Sequence, residues 1–155
     1  QMLPKGLVMT PHPKEFDMFT GSTASNDYER LDRAREMAVK TEGYIILKGH
    51  YSALCAPDGR VYFNSTGNSG MATAGSGDTL TGILTALLAR GYSRLDACLL
   101  GMFLHGLAGD IAATLNGKES LIASDITEYL PMAFRRLESG PFHTATRCQR
   151  DDALF

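Results

Sequence analysis

The chain has 155 residues, of which 44% are hydrophobic and 21% charged, and its formal net charge is −2. This length suffices for one domain with a hydrophobic core, and so small a net charge gives no sign of a nucleic-acid or membrane partner. Its three cysteines are odd in number and far apart, which argues against a disulfide framework or a zinc site and predicts a reducing, cytoplasmic location. Residues 1–20 lack the apolar core of a signal peptide.

The first part of the chain predicts a strand followed by two helices. Leu7–Met9 is a short apolar run typical of a buried strand, and Pro13 suits the first turn of a helix. A second helix is predicted from Tyr28 to Thr41, because apolar side chains recur there on one face, and Gly43 is expected to end it.

The middle of the chain predicts further strands. Tyr44–Leu47 is the clearest buried strand of the sequence, and Ala53–Ala56 pairs in a predicted hairpin with Val61–Phe63 around the turn Pro57–Gly59. The spacing of strand, helix and strand predicts a right-handed βαβ unit in a parallel sheet.

The last part of the chain is helical in pattern. A long apolar helix is predicted over Arg94–Asn116. Its most apolar stretch, Ala97–Gly109, is interrupted by His105 and is too short to span a bilayer. His105 and Asp110 lie on this helix, and we interpret both as polar groups satisfied inside the protein. A final helix is predicted over residues 126–137, and residues 139–155 read as an irregular tail.

Residues 64–90 are the most informative stretch. Their first part, the glycine loop (residues 64–77), consists mostly of small residues and hydroxyls, so a ligand can approach its backbone. The second part switches to helical periodicity through Leu80, Ile83, Leu84, Leu87 and Leu88. A helix that begins at a glycine loop presents free N–H groups and a positive dipole end, which suits an anion such as a nucleotide phosphate.

Three familiar glycine motifs do not fit this loop. A Walker A motif would need a lysine that is absent, a dinucleotide fingerprint would need glycine where Leu80 stands, and a nucleophile elbow would need glycines in place of Ala74 and Asp78. What remains is the segment Gly75–Asp78, in which the acid Asp78 directly follows the candidate anion-binding amides. From the local pattern alone, Asp78 is equally an acid that stabilises the helix dipole, an effect of about 0.3–1 kcal/mol.

Taken together, three motifs resemble those of the ADP/ATP-dependent NAD(P)H-hydrate dehydratases, which belong to the ribokinase-like superfamily. Residues 64–78 (N-x-T-G-N-x-G-M-A-T-x-G-S-G-D) resemble the family signature. Residues 10–16 (T-P-H-P-x-E-F) resemble its substrate-side motif, and residues 47–52 (L-K-G-x-x-S) its nucleotide-side strand and loop. The likeness covers roughly residues 7–137, with mild departures from the usual residues at Lys14, Ser52, Ser69 and Ala74.

The resemblance implies a fold and a domain organisation. The fold would be a three-layer α/β/α arrangement with a mostly parallel sheet, and residues 1–138 would be the C-terminal portion of a dehydratase domain. The family domain extends well upstream, so we expect this chain to be part of a longer protein. Missing strands would leave an open sheet edge and apolar surface, which predicts a homo-oligomer.

The resemblance also implies a reaction and a site. ATP or ADP, with Mg²⁺ on its phosphates, would phosphorylate the ring hydroxyl of hydrated NADH or NADPH, here NAD(P)HX, and elimination of phosphate would restore the cofactor. Asp78 would be the general base and contact the substrate. The substrate wall would include His12, Glu15 and Phe16. The nucleotide would be bound by Lys48, Gly49, His50, Tyr51, Ser52, Asn68, Gly70, Thr73, Gly75, Ser76 and Gly77.

Two rival functions remain open at this point. A sugar or vitamin-precursor kinase of the same superfamily would share residues 75–78 but stop at phosphoryl transfer. A non-catalytic nucleotide-binding fragment would bind without turnover. Because strand ends meet at one edge of an α/β sheet, all three motifs are expected to converge on one cleft in any of these cases.

Overall fold

Four strands and five α-helices build the part of the chain that the computed structural model describes, residues 4–139. In chain order they are β1 (Val8–Met9), α1 (Pro13–Thr20), α2 (Asp27–Thr41), β2 (Tyr44–Leu47), β3 (Ala53–Cys55), β4 (Val61–Phe63), a short 3₁₀ turn (Ser69–Met71), α3 (Ser76–Ala89), α4 (Arg94–Asn116) and α5 (Ala123–Ser139).

The sheet has the order β1-β2-β3-β4 and is mixed. β1 and β2 are parallel, whereas β2–β3 and β3–β4 are antiparallel. The expectation of a mostly parallel sheet is therefore wrong for the described residues. Only β1 and β2 are separated by helices, and a parallel connection needs such a long crossover, whereas the short loops on either side of β3 return the chain antiparallel.

Helices cover both faces of the sheet, which confirms the three-layer α/β/α arrangement. Neighbouring residues of β2 face opposite ways, as the pleat of a strand requires. Ile45 and Leu47 pack against α1 and α2 together with Phe16, whereas Ile46 packs against α3 and α4. The core is thus divided by the sheet, and the helix that follows the glycine loop lies on the second face.

Two helix ends differ in detail from the sequence prediction. α2 ends at Thr41 as predicted, but its C-cap residue is Glu42 in the left-handed conformation (φ 49°), so the chain leaves the helix before Gly43. α5 begins at Ala123, because the Asp125 carboxylate accepts a hydrogen bond from the Ile122 amide and so acts from the third helical position. The predicted tail lies outside the described residues except for Ser139, which ends α5.

Helix α4 is the central helix of the second face. It is long and apolar enough by length and composition to cross a membrane. Here, its buried side chains belong to core clusters shared with α3, α5 and the sheet, as in the core helix of a globular domain. Three of its glycines permit close packing. A Cβ at Gly101 would lie 2.6 Å from a Leu84 methyl carbon, and at Gly106 or Gly109 it would collide with the glycine loop.

Candidate active site

Three loops meet at one edge of the sheet, as the sequence predicts. β1, β2 and β4 run in the same direction, so the turn after β1, the turn after β2 and the glycine loop after β4 all leave from the same edge. They line a cleft of about 620 Å³, which is called the larger cleft because a smaller cavity adjoins it. The predicted site residues that line it are His12, Lys48, Gly49, His50, Ser52, Asn68, Thr73, Ser76 and Gly77.

A smaller cavity of about 360 Å³ adjoins the larger cleft. Thr10, Glu15 and Asp78 face it, and Lys48 and Gly77 line both spaces. The two spaces therefore share a border at the first turn of α3. A ligand in the larger cleft and a second ligand in the smaller cavity would meet there.

The first turn of α3 has no side-chain cap. Gly75 is its N-cap residue in the left-handed conformation (φ 86°), a position for which glycine is suited because it has no Cβ. The Ser76 amide hydrogen-bonds weakly to the Thr73 carbonyl (3.3 Å), so it is partly engaged. With no side chain satisfying them, amides of this first turn remain free to donate to an anion.

Lys48 lies at the border between the two spaces. Its ammonium is 3.5 Å from Glu15 Oε2, and a Cβ added to Gly77 would lie 3.0 Å from Lys48 Nζ. The lysine side chain therefore passes directly over the glycine at the start of α3. About a quarter of that side chain (27%) is exposed, so its charge faces the open space rather than the core.

His12 and Glu15 form a capping box at the start of α1. The His12 ring nitrogen Nδ1 accepts a hydrogen bond from the Glu15 amide (3.1 Å), and the His12 amide donates to Glu15 Oε2 (2.6 Å). The hydrogen bond from the His12 amide lowers the pKa of Glu15, with further contributions from Lys48 and His12 against the opposing effect of burial. His12 lines the larger cleft, whereas Glu15 lines the smaller cavity.

Four residues of the predicted site line neither space. Phe16 is fully buried between α1, α2 and the sheet, so it cannot form the substrate wall. The next aromatic residue of α1, Phe19, lines the smaller cavity in its place. Tyr51 lies at the tip of its loop with 67% of its surface exposed. Gly70 packs against the backbone of Lys118, and Gly75 is the N-cap residue of α3.

His105 on α4 belongs to the site although the sequence interpretation left it in the core. Its ring nitrogen Nε2 lies 2.9 Å from the Ser76 carbonyl and 3.4 Å from the Ser76 hydroxyl. Burial lowers the pKa of His105, a nearby Lys48 charge acts in the same direction, and the hydrogen bond to Ser76 opposes them. Burial thus favours the neutral imidazole, and its Nε2–H donates to the Ser76 carbonyl at the start of α3.

Asp110, Asn64 and Thr66 support the site although the sequence did not predict them as site residues. Asp110 accepts hydrogen bonds from the loop, and Asn64 and Thr66 reach from the loop to backbone carbonyls of α4. The interpretation of Asp110 as an internally satisfied polar group is confirmed. Its partners lie 42 and 43 residues away along the chain, so only the fold could connect it with the site.

Comparison with known proteins gives one consistent family. The family model described as NAD(P)H-hydrate dehydratase matches residues 2–132. A bifunctional NAD(P)H-hydrate repair enzyme, Nnr, from Thermofilum pendens is 45% identical over 131 residues, which are 84% of this chain and 25% of that protein.

Solved structures agree with the sequence comparison. The ADP/ATP-dependent NAD(P)H-hydrate dehydratase of Bacillus subtilis, co-crystallised with ATP/Mg²⁺ and soaked with CoA, superposes with a TM-score of 0.81 at 31% identity over 88% of this chain. A ribokinase-like superfamily protein of Enterococcus faecalis superposes with a TM-score of 0.72 at 27% identity, over 86% of this chain and 45% of that one. The chain spans about half (52%) of the B. subtilis structure.

Proposed function

This chain belongs to the NAD(P)H-hydrate dehydratase family, and we propose that it supplies the nucleotide side and the general base of such an enzyme. The proposed reaction is phosphorylation of the ring hydroxyl of NAD(P)HX by ATP or ADP, followed by elimination of phosphate. The observation that carries the proposal is the position of the uncapped first turn of α3, with Asp78 on it, at the border between the two spaces.

The larger cleft fits a nucleotide by its shape and by its donors. Its floor is the glycine loop, whose residues are small, and the uncapped amides of α3 and the ammonium of Lys48 meet at one end. Amides and a lysine ammonium are the groups that bind phosphates in proteins. Mg²⁺ supplies charge neutralisation on the phosphates when it is bound. Residues 4–139 contain no group of three His, Cys, Asp or Glu side chains suited to a metal, so the ion would arrive with the nucleotide.

Asp78 is placed to act on a substrate in the smaller cavity. Its exposed side chain lines that cavity together with Glu15 and Thr10. A carboxylate there can accept the proton of the substrate hydroxyl as its oxygen attacks the terminal phosphoryl group, a role that contributes roughly 10²–10⁴-fold to rate. Lys48, at the border of the two spaces, would bind the phosphoryl group and stabilise its negative charge during transfer.

The test is to follow the reduced-nicotinamide absorbance band while the protein is incubated with hydrated NADH and ATP or ADP. We expect the band to appear only when nucleotide is present, and not with Asp78→Asn. Consumption of nucleotide without the band would instead identify a kinase. Binding of nucleotide without its consumption would identify a non-catalytic binding protein.

We further propose that the chain works as a homo-oligomer in a reducing compartment, the cytoplasm. β1 is an edge strand of only two residues, which leaves backbone groups for pairing with a second copy. Burial raises the pKa of Cys55 to about 11 and that of Cys98 to about 12, so both thiols stay protonated at neutral pH. Light scattering tests the assembly: a strictly monomeric protein at working concentration would contradict it.

A further inference from the structure

A chain of hydrogen bonds joins α4 to the floor of the larger cleft. Asp110 Oδ2 accepts from the Gly67 amide (2.9 Å), and Asp110 Oδ1 accepts from the Asn68 side-chain amide (2.9 Å). Asn68 Oδ1 in turn accepts from the Gly70 amide (3.0 Å) and so caps the 3₁₀ turn. The carboxylate of Asp110 therefore holds Gly67 and Asn68 directly and Gly70 through Asn68.

The surroundings of Asp110 fit the loop closely. A Cβ at Gly106 would collide with Thr66, and one at Gly109 would collide with Met71, so the helix backbone itself touches the loop at both places. Thr66 Oγ1 also donates to the Phe103 carbonyl (2.9 Å). The loop is therefore fastened along two turns of α4, and Asp110 provides the charged part of that attachment.

We propose that Asp110 is a positioning residue that holds the glycine loop in its nucleotide-binding shape before any nucleotide arrives. This inference rests on the proposed function. Gly67 and Asn68 line the larger cleft. Asp110 supports them from α4, because each of its carboxylate oxygens accepts a hydrogen bond from the loop. A loop fixed in advance need not be ordered on binding, which makes binding tighter.

The variant Asp110→Asn tests the chain of hydrogen bonds without changing the size of the side chain. The new amide can still accept from Gly67, but its NH₂ group then faces the NH₂ group of Asn68. If the side-chain amide of Asn68 flips, its NH₂ group faces the Gly70 amide instead. One of the three hydrogen bonds must therefore be lost. In either arrangement two N–H donors face each other and repel, so the loop should loosen. We expect amide exchange at Gly67 or Gly70, measured by NMR on the nucleotide-free protein, to accelerate, and the ADP dissociation constant to rise about tenfold.

The double variant D110N/N68D provides the rescue. The amide introduced at position 110 would accept from Gly67 and donate to the new carboxylate at position 68, which would accept from Gly70, so all three links are restored with the same net charge. We expect the amide exchange of Gly67 and Gly70 to return towards wild-type rates. Asp96→Asn is the matched control, because Asp96 lies in the first turn of the same helix and exchanges hydrogen bonds with Ser93 there. The ADP dissociation constant of this variant should equal that of the wild type.

The outcomes separate this inference from the proposed function. If the wild-type protein binds no ADP, the proposed function fails. If wild type and Asp110→Asn bind ADP equally, or if the variant only melts at a lower temperature with unchanged affinity, the positioning role is overturned. If the variant does not fold, exchange in the wild-type protein decides: a slowly exchanging Gly67 amide without nucleotide supports the inference, and a rapidly exchanging one contradicts it.

Discussion

Two helices begin at the cleft, α1 and α3, and their first turns are built in opposite ways. α1 starts with a complete capping box from His12 and Glu15, whereas α3 starts at Gly75 with no side-chain cap. A cap stabilises a helix because it satisfies amides that have no partner within the helix. The uncapped α3 lacks that stabilisation and keeps its amides for an anion. Under the proposed function, α1 gives the site a stable wall, whereas α3 binds the phosphates and carries the general base.

The largest expected effect comes from removing the acid on the first turn of α3. Asp78→Asn keeps the size of the side chain but cannot accept the substrate proton, so we expect turnover to fall by about 10²–10⁴-fold while ADP still binds. Nicotinamide absorbance gives the rate and calorimetry the affinity. A variant that retained more than about a tenth of the wild-type rate would show that Asp78 is only a helix-dipole acid.

A smaller effect is expected from a side chain on the same turn. A Cβ at Gly77 would lie 3.0 Å from Lys48 Nζ. Under the proposed function, the branches of valine would obstruct the approach of the phosphates to this turn. We expect Gly77→Val to weaken ADP binding about tenfold, roughly the loss of one hydrogen bond to a charged group. Gly82→Val is the matched control on the same helix, because a Cβ there has nothing within 4 Å. Equal affinity for both variants would place the nucleotide elsewhere.

Removing the cap of α1 should change stability more than chemistry. His12→Ala removes the acceptor of the Glu15 amide, so we expect the free energy of unfolding to fall by about 1 kcal/mol in urea titrations. Asn26→Ala is the control, since Asn26 caps α2 in the same way from a position outside the cleft. If ADP affinity fell more for His12→Ala than for the control, His12 would be a ligand-binding residue as well as a cap.

The smallest expected effect is a change in the pH dependence of stability. The pKa of Glu15 is lowered from its ordinary value of 4.5, mainly by the His12 amide, so the folded protein favours its charged form. Its contribution to stability is therefore present above pH 4.5 and is lost as the pH falls through the lowered folded-state pKa. Glu15→Gln keeps a hydrogen-bond acceptor but does not titrate. The stability difference between wild type and variant should shrink in acid, and a difference independent of pH would contradict this account.

The sequence was most reliable where the signal is local. α4 occupies Arg94–Asn116 and β2 occupies Tyr44–Leu47, both as predicted, because caps, glycines and apolar runs act within a few residues. It was less reliable for Phe16. The motif places Phe16 next to Glu15, but successive side chains on a helix point about 100° apart, so Phe16 enters the core while Glu15 faces the smaller cavity.

The sequence by itself determined the kind of site: a glycine loop, an uncapped helix start and an acid after it, all within residues 64–78. Only the tertiary structure decided which other side chains serve that loop. His105 meets Ser76 and Asp110 meets Gly67 across 29 and 43 residues of chain, and α4 can approach the loop because it carries glycine at the contacts. The antiparallel pairing of β2 with β3 was decided at the same level, whereas the hairpin of β3 and β4 was already predicted from its turn and is confirmed. Periodicity reports how a segment buries its own face, whereas pairing and contact depend on where the other segments lie.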